Sequence, residues 1–342
     1  MSHSEMPTTD ARFPLRPVLL VLLWCTVPLL LLLELATGPT PLPLGKALAD
    51  LLAGRESIDA IILVELRLPR ALLAALVGAM LGLSGAALQG LLRNPIASPD
   101  ILGISQSAAL CAVVVLYFGF SQVAWFILPL AAIAGAAAAV LLMLSLTWRY
   151  RGVHTIILAG IAISALASSL TAMALNFAPN PYALQEIYYW LLGSVANRSM
   201  DELVLALPFM LVGCILLLRA GPFLDALSIG DEGARSLGFA VNTESRSLVA
   251  GVACCIGAAV ALSGSIAFVG LMVPHLLRPL VKAQPGKLLW ASVPGGACAV
   301  LLADILLQHL PGQQELQLGV ITAALGGPFF LYLLFRKKAL FL

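Results

Sequence analysis

Six cysteines and four histidines are the side chains of this sequence best suited to bind a transition metal. All six cysteines lie inside long apolar blocks, and no two of them form a CxxC pair. Cysteines in that position are typical of small hydrophobic residues packed between helices. The histidines are scattered, and no HExxH motif, GxSxG motif or paired Cys/His cluster occurs. The sequence therefore predicts no metal site, no disulfide framework and no catalytic residue.

The nearest match to a phosphate-binding loop is the stretch GPTPLPLGKA at residues 38–47. Its glycines, Gly38 and Gly45, are spaced too widely for the GxxxxGK[ST] motif, and Ala47 stands where a hydroxyl group is needed. We therefore expect this chain to bind no cofactor, and to be unable to hydrolyse ATP through such a loop.

The composition indicates an all-α integral membrane protein. Of the 342 residues, 61% are hydrophobic and only 11% are charged, whereas soluble domains carry about 25% charged residues. The apolar residues form long unbroken blocks, which excludes the short alternating strands of a membrane barrel. The net charge is +2, and no basic block is interleaved with aromatic residues. We therefore expect membrane lipid, and no nucleic acid, as a partner.

About 20 apolar residues are needed for one helix to cross a bilayer, and this length predicts about ten transmembrane helices. The candidate spans are 16–36, 70–91, 101–118, 124–147, 155–177, 202–219, 246–264, 266–281, 288–307 and 317–335. The first is too long for the apolar core of a signal peptide, so we interpret it as a retained helix. We expect residues 1–15 to form a cytoplasmic tail and residues 16–342 to form a single transmembrane domain.

The distribution of positive charge predicts the orientation. An even number of spans places both termini on one side of the membrane. With both termini in the cytoplasm, 14 of the 19 lysines and arginines fall on inner segments, as the positive-inside rule requires. Two acidic residues, Glu34 and Asp304, then fall near the outer ends of their helices, where we expect them to reach interfacial water.

One membrane segment is interrupted at LSGAALQGLLRNPIASPDILG, residues Leu83–Gly103. Pro95 and Pro99 cannot continue a helix without losing backbone hydrogen bonds. The interruption is either a tight turn between two helices or irregular backbone that lines a pathway, which a membrane tolerates only under a cover of protein or water.

The second half of the chain contains a faint copy of the first. The stretch VGAMLGLSGAALQGLLRNP resembles IGAAVALSGSIAFVGLMVP, with Gly85 matching Gly264 and Pro95 matching Pro274. Because the two copies would cross the membrane in opposite directions, they predict the inverted repeat common in transporters. Their small residues would also allow close helix packing. The glycines expected to pack in this way are Gly78, Gly82, Gly85 and Gly264.

Four long blocks of the sequence form a recognisable pattern. They are RLPRALLAALVGAMLGLSGAALQGLLRNPIASPDILGIS (Arg67–Ser105), LSIGDEGARSLG (Leu227–Gly238), SGSIAFVGLMVPHLLR (Ser263–Arg278) and LADILLQHLPGQQELQLGVITAALGGPFFLYLL (Leu302–Leu334). Their sequence and order resemble the FecCD-type permeases, the membrane subunits of ABC importers for ferric siderophores, haem and cobalamin. The resemblance covers nearly all of the chain after about residue 62.

The resemblance implies a BtuC-like permease fold in the inner membrane, with ten helices and both termini in the cytoplasm. It also implies the partners. They are a second permease subunit, identical or paralogous, two cytoplasmic ATP-binding subunits that carry the ATP, and a periplasmic or lipid-anchored substrate-binding protein. The chain itself would be a transport subunit and not an enzyme.

The resemblance also assigns roles to residues. Arg67 and Arg70 would contact the binding protein, although arginines at a membrane interface also occur without such a role. The segment 225–239, which we call the coupling segment, would dock on the ATPase, whereas an amphipathic pattern alone would be equally compatible with a solvated surface helix. Its contact residues would be Gly230, Asp231, Glu232, Ala234, Arg235, Leu237 and Gly238. The cytoplasmic gate would be formed by Asn94, Pro95, Ile96, His154 and Thr155.

The cargo predicted from the resemblance is an iron chelate of the siderophore type. Cobalamin and haem are the alternatives within the family. Gln308 stands where the cobalamin permease has an arginine, and Gln317 stands where the family commonly has a proline, which weakens the cobalamin assignment. Outside the family, an ion-coupled secondary transporter would also contain an inverted repeat, and a membrane-embedded enzyme would need a catalytic cluster that the sequence lacks.

Overall fold

The computed structural model describes residues 15–38, 40–149, 153–310 and 316–338. These residues form fifteen α-helices and no β-strand. The helices are α1 (Leu15–Ala36), α2 (Leu44–Leu52), α3 (Ile58–Ile61), α4 (Leu68–Leu91), α5 (Ile104–Tyr117), α6 (Ile127–Arg149), α7 (Val153–Asn176), α8 (Pro181–Leu192), α9 (Met200–Arg219), α10 (Gly221–Leu227), α11 (Asp231–Ser236), α12 (Val241–Ser263), α13 (Val269–Leu277), α14 (Pro285–His309) and α15 (Leu318–Lys338).

Ten of these helices correspond to the ten predicted spans, which confirms the predicted fold class. Seven are long and apolar enough to cross a membrane, and three shorter apolar helices lie at 104–117, 269–281 and 318–331 within the described residues. The second span begins earlier than predicted. A π-helix, Ile62–Arg67, joins α3 to α4, so that helical structure runs without interruption from Ile58 to Leu91.

Capping residues at the N-terminus determine where several of the helices begin. Ser199 and Glu202 form a reciprocal capping box that starts α9, in which each side chain satisfies a backbone N–H group of the first turn. The Asn180 side chain accepts a hydrogen bond from Ala183, and Pro181 occupies the first position of α8. These short-range signals fix where each helix begins, and long-range packing decides how the helices assemble.

The two halves of the chain pack through crossed and equivalent contacts. Helix α4 packs along α14, and α12 packs along α6. Helices α4 and α12 are the second and seventh spans, and α6 and α14 are the fourth and ninth. In two halves of five spans each, the contact between α12 and α6 is therefore the counterpart of the contact between α4 and α14. Helix α13 likewise packs on α4, while α5 packs on α12. The crossed pairing is the arrangement that an inverted repeat produces.

The short sequence echo does not, however, mark equivalent local structure. Gly85 continues α4 as an ordinary helical residue, whereas α12 ends at Ser263 and Gly264 has a φ of +66°. Pro95 lies in a turn, and its counterpart Pro274 lies inside α13. The two copies therefore diverge after the serine that precedes each glycine.

Glycines allow backbones to touch along both faces of α4. A methyl group built on Gly78 would overlap the Gly296 carbonyl group of α14, and one built on Gly82 would overlap the Ser292 carbonyl oxygen. On another face, a methyl group on Gly85 would overlap the Gly270 carbonyl oxygen of α13. Small residues are the usual means of such close approach between membrane helices, where no hydrophobic force drives association.

We predict that Gly85→Ala destabilises the folded protein by about 1–3 kcal/mol, because α4 and α13 must separate to admit the methyl group. The measurement is the thermal unfolding of the purified chain in detergent. Gly327→Ala in α15 is the matched control, since a methyl group there would meet no atom within 4 Å. An equal unfolding temperature for the two variants would contradict close contact at Gly85.

Candidate functional site

The side of the bundle that carries α10 and α11 is called the coupling side below, and the opposite side is called the far side. The last turn of α4 and the first turn of α14 lie on the coupling side, since both contact the segment that contains α10 and α11. The first turn of α4 and the last turns of α1 and α14 meet on the far side.

The interruption after α4 is both a turn and a buried irregular stretch. Arg93 has a φ of +49°, and the Asn94 side chain accepts a hydrogen bond from the Ile96 N–H group at 3.1 Å, a common way for asparagine to stabilise a turn. The chain then becomes buried at Ala97 and forms a 3₁₀-helix, Pro99–Leu102. The turn is therefore confirmed, and the lining of a pathway by the buried stretch after it stays a prediction.

The predicted gate residues lie on neighbouring elements. Asn94 and Ile96 are exposed, and the 3₁₀-helix that follows them packs against α7. Gly103, with a φ of +70°, lies directly against Gly160 and Ser164 of α7. Thr155 lies in the first turn of α7 and is half-buried, whereas the side chain of His154 and residues 150–152 lie outside the described part of the chain.

A second interruption separates α12 from α13 and is covered by backbone from two other helices. The Ser194 N–H group, beyond the end of α8, donates to the Ser263 carbonyl oxygen at 2.7 Å. The Gly319 N–H group of α15 donates to the Gly193 carbonyl oxygen at 3.1 Å. Irregular backbone at membrane depth needs such partners, because lipid offers none. Residues 264–268 therefore connect α8, α12, α13 and α15 at one place.

The coupling segment begins in the last turn of α10 and contains the whole of α11. Helix α11 has six residues, with Asp231 and Glu232 in its first turn, where acidic side chains interact favourably with the helix dipole. The Gly238 N–H group donates to the Arg235 carbonyl oxygen, and the Phe239 N–H group donates to that of Ala234. These two bonds and the positive φ of Gly238 form a Schellman motif, as expected of a C-terminal glycine cap.

Only part of α11 faces outward. Ala234 is fully buried, whereas Leu237 at its end is 62% exposed and Ile229 just before it is 68% exposed. Two large apolar side chains of the segment, one on each side of α11, are therefore exposed.

The coupling segment is tied to α14 and to the turn after α4. The Asp225 carboxylate accepts hydrogen bonds from the Gly286 N–H group at 2.7 Å and from the Gln284 side chain at 2.9 Å. It thereby satisfies the N-terminus of a 25-residue helix. In addition, Arg93 Nη2 lies 3.0 Å from Asp231 Oδ1, an ion pair without hydrogen-bond alignment.

A buried cluster of charged and polar residues joins three helices on the far side. Arg70 of α4 forms a bidentate pair with Asp304 of α14, with N–O distances of 2.7 and 2.9 Å. Gln308 donates hydrogen bonds to both Asp304 and Glu34 of α1. Paired forks of this kind are among the strongest hydrogen bonds that proteins make. We call these four residues the far-side cluster.

The cluster contradicts the prediction that Glu34 and Asp304 reach interfacial water. Glu34 is 2% exposed and Asp304 is 0% exposed. The prediction rested on the position of each residue near the end of its helix. It failed because the partner of Asp304, Arg70, lies 234 residues away, and nothing in the sequence indicates that the two residues meet. The carboxylates can be buried because the arginine and the amide satisfy most of their oxygen atoms.

The predicted contact of Arg67 and Arg70 with a binding protein stays a prediction, and the structure describes the contacts that each arginine makes within the chain. The Arg67 guanidinium group is buried and donates to the Leu35 carbonyl oxygen at 2.7 Å and to that of Thr40 at 2.5 Å. It thereby caps the C-terminus of α1, where a positive charge is favourable. Arg70 is paired with Asp304, and 22% of its side chain remains exposed.

Sequence reasoning missed a polar link on the coupling side. Gln89, almost fully buried in α4, accepts a hydrogen bond from Arg278 at 2.8 Å and donates one to the Leu271 carbonyl oxygen at 3.3 Å. The signal that could have found it is a glutamine within an otherwise apolar span, since polar side chains inside membranes are usually paired.

We predict that Arg70→Met destabilises the protein by about 3–5 kcal/mol, because Asp304 and Glu34 would stay buried without their positive partner. Thermal unfolding of the purified chain measures the effect. Arg55→Met is the control, because its ion pair with Asp50 lies at the surface, where such pairs contribute about 0–1 kcal/mol. Equal losses for the two variants would contradict the structural importance of the far-side cluster.

Comparisons with known proteins agree on the class of this chain. Residues 25–336 match the model of the FecCD transport family. The chain is 38% identical to the hemin transport system permease protein HmuU of Yersinia pestis, over 80% of this chain and 83% of that protein. It is 37% identical to the Fe(3+) dicitrate transport system permease protein FecD of Escherichia coli, over 90% and 95%.

Two further relatives broaden the range of cargo and support the fold. The vitamin B12 import system permease protein BtuC of Klebsiella pneumoniae is 34% identical over 90% of each chain. A solved structure, described as an inward-facing conformation of a metal-chelate type ABC transporter, superposes with a TM-score of 0.82 at 29% identity, over 94% of this chain and 99% of that one. From the family match, the identities and the ten-span helical fold, we conclude that this chain belongs to the FecCD transport family of ABC importer permeases.

Proposed function

We propose that this chain carries an iron chelate of the siderophore type across the inner membrane, with ATP hydrolysed by separate subunits. The observation that carries the proposal is the near full-length similarity to two permeases named for ferric citrate. These are FecD and the Fe(3+)-citrate import system permease protein YfmE of Bacillus subtilis, which is 36% identical over 93% of this chain. The metal-chelate transporter of similar structure supports the same class of cargo.

Haem is the second candidate, because the hemin permease of Yersinia pestis has 38% identity to this chain. Cobalamin is the third, on the similarity to BtuC. The far-side cluster bears on the cobalamin alternative. Gln308, which replaces an arginine of the cobalamin permease, donates to two carboxylates inside the bundle. The glutamine at this position is therefore explained by its contacts inside the bundle, and it carries little information about the cargo.

The coupling segment, by this proposal, docks on a cytoplasmic ATP-binding subunit, and both termini lie in the cytoplasm. The exposed Leu237 and Ile229 support the docking role, since they offer apolar contact area at the end of a polar helix. Asp225 and Asp231 would then transmit a displacement of the segment to α14 and to the turn after α4, because both carboxylates are bonded to those elements.

The pathway would lie where this chain meets a second permease subunit, either a copy or a paralogue. Helix α7 has an apolar face that such a subunit could cover. Its large apolar residues Leu158, Ile161 and Leu166 are more than half exposed. The turn at Asn94–Ile96 and the start of α7 would form the gate at the coupling side of that pathway.

Uptake by the reconstituted system tests the function. The chain would be placed in liposomes with its neighbouring ATPase, the binding protein would be added outside, and accumulation of radiolabelled ferric siderophore, ferric citrate, haem and cobalamin would be compared. We expect ATP-dependent uptake of a ferric chelate. Uptake that follows an ion gradient without the ATPase would refute the ABC mechanism, and selective uptake of haem or cobalamin would refute the proposed cargo.

We predict that Leu237→Ser lowers ATP-driven uptake at least about tenfold while leaving thermal unfolding of the isolated chain nearly unchanged. A loss of about 1.4 kcal/mol from the docking contact corresponds to a factor of ten. Leu52→Ser in α2 is the control, because Leu52 is 83% exposed and lies away from the coupling segment. Normal uptake by Leu237→Ser would remove this residue from the docking surface.

A further inference from the structure

A cavity of about 200 Å³ lies on the coupling side, between the last turn of α4 and the first turn of α14. Two arginines line it, Arg93 and Arg278, together with the polar residues Gln89 and Ser228. Within the described part of the chain, no carboxylate-bearing residue lines the cavity. Its volume is several times that needed for a single water molecule, so it has room for a small anion with part of its hydration shell.

The positive charge of this cavity is only partly balanced. Arg93 is paired with Asp231, but 43% of its side chain remains exposed. Arg278 is bonded to a neutral amide, and its Nε atom is buried without a hydrogen-bond partner. Among the residues that the structure describes, none places a carboxylate oxygen within 4.0 Å of Arg278. A partly buried guanidinium group without a counter-ion favours the binding of an anion.

Helix α14 adds to the positive potential of the cavity. Pro285 and Leu288, both in its first turn, are among the lining residues. The N-terminus of a long helix carries a partial positive charge that stabilises anions nearby. Asp225 already accepts the Gly286 N–H group, so the contribution of α14 to a bound anion is the field of its dipole.

The backbone around the cavity is strained. Five residues other than glycine have a positive φ among those described, and three of them are Arg93, Lys282 and Ala283. Arg93 and Ala283 line the cavity, and Lys282 is the neighbour of Ala283. Such conformations cost about 1–3 kcal/mol each and occur preferentially at ligand sites and switch regions. Here the surrounding structure holds these residues in the strained turns that border the cavity.

We propose that this cavity binds a phosphate-type oxyanion through Arg93 and Arg278. The planar guanidinium fork matches the oxygen geometry of phosphate, and basic pockets between membrane helices are typical sites for the phosphates of anionic lipids. The phosphate belongs either to such a headgroup or to a free ion. Because Arg93 also holds Asp231, a bound anion competes with Asp231 and loosens the attachment of α11 to the turn after α4.

Binding can be measured without ATP, ATPase or cargo, so the outcome is independent of the proposed transport function. The full chain would be placed in nanodiscs of neutral phosphatidylcholine, and its unfolding temperature would be followed while inorganic phosphate replaces chloride at constant ionic strength. A second series would replace part of the phosphatidylcholine by phosphatidylglycerol. We expect stabilisation in at least one series. Stabilisation by phosphate in neutral nanodiscs identifies a free ion, and stabilisation by phosphatidylglycerol alone identifies a headgroup.

The variants Arg278→Gln and Arg93→Gln should each weaken the stabilisation at least about tenfold in anion concentration, which corresponds to about 1.4 kcal/mol. Lys287→Gln is the matched control, because Lys287 is exposed in the first turn of α14 and does not line the cavity. If Arg278→Gln does not fold, Arg93→Gln decides alone, since Arg93 lies in an exposed turn. A wild-type chain that responds in neither series, or arginine variants that respond like Lys287→Gln, would overturn the proposal.

Discussion

The direct backbone contact between α4 and α14 is the constraint on which most of this structure depends. Gly78 and Gly82 bring the two helices so close that carbonyl groups of α14 fill the space of their missing side chains. In a membrane such contacts replace the hydrophobic force that assembles soluble proteins. The window of α4 that would span the membrane is 89% buried, so this helix is the core of the bundle, and its small residues determine how closely the other helices can approach it.

Polar residues complete the attachment of α4 at both of its ends. On the far side the Arg70–Asp304 pair bonds α4 to α14, and on the coupling side Asp225 and Arg93 bind both helices to the coupling segment. Between these points the contact is made by small residues without flexible side chains. Helices α4 and α14 are therefore joined at both ends and in direct backbone contact between them.

The sequence predicts the spans well and the polar contacts poorly, for a physical reason. The length of an apolar run is set by the thickness of the membrane that the helix must cross, and all ten predicted runs correspond to helices. The interruption after α4 was also predictable, since prolines and Asn94 restrict the backbone locally. In contrast, Glu34, Arg67, Arg70 and Gln308 each have a partner on another helix, up to 274 residues away. A single sequence shows which residue is charged, and only the packing shows which surface it faces.

The far-side cluster has a consequence for the synthesis of the protein. Glu34 and Arg70 enter the membrane with the first two spans, whereas Asp304 and Gln308 arrive only with the ninth. During most of translation, the early residues must therefore be hydrated, shielded by the insertion machinery or paired with each other. A chain that stops before α14 would leave Arg70 without its carboxylate partner on that helix. The bond between α4 and α14 can therefore form only after nine of the ten spans have been made.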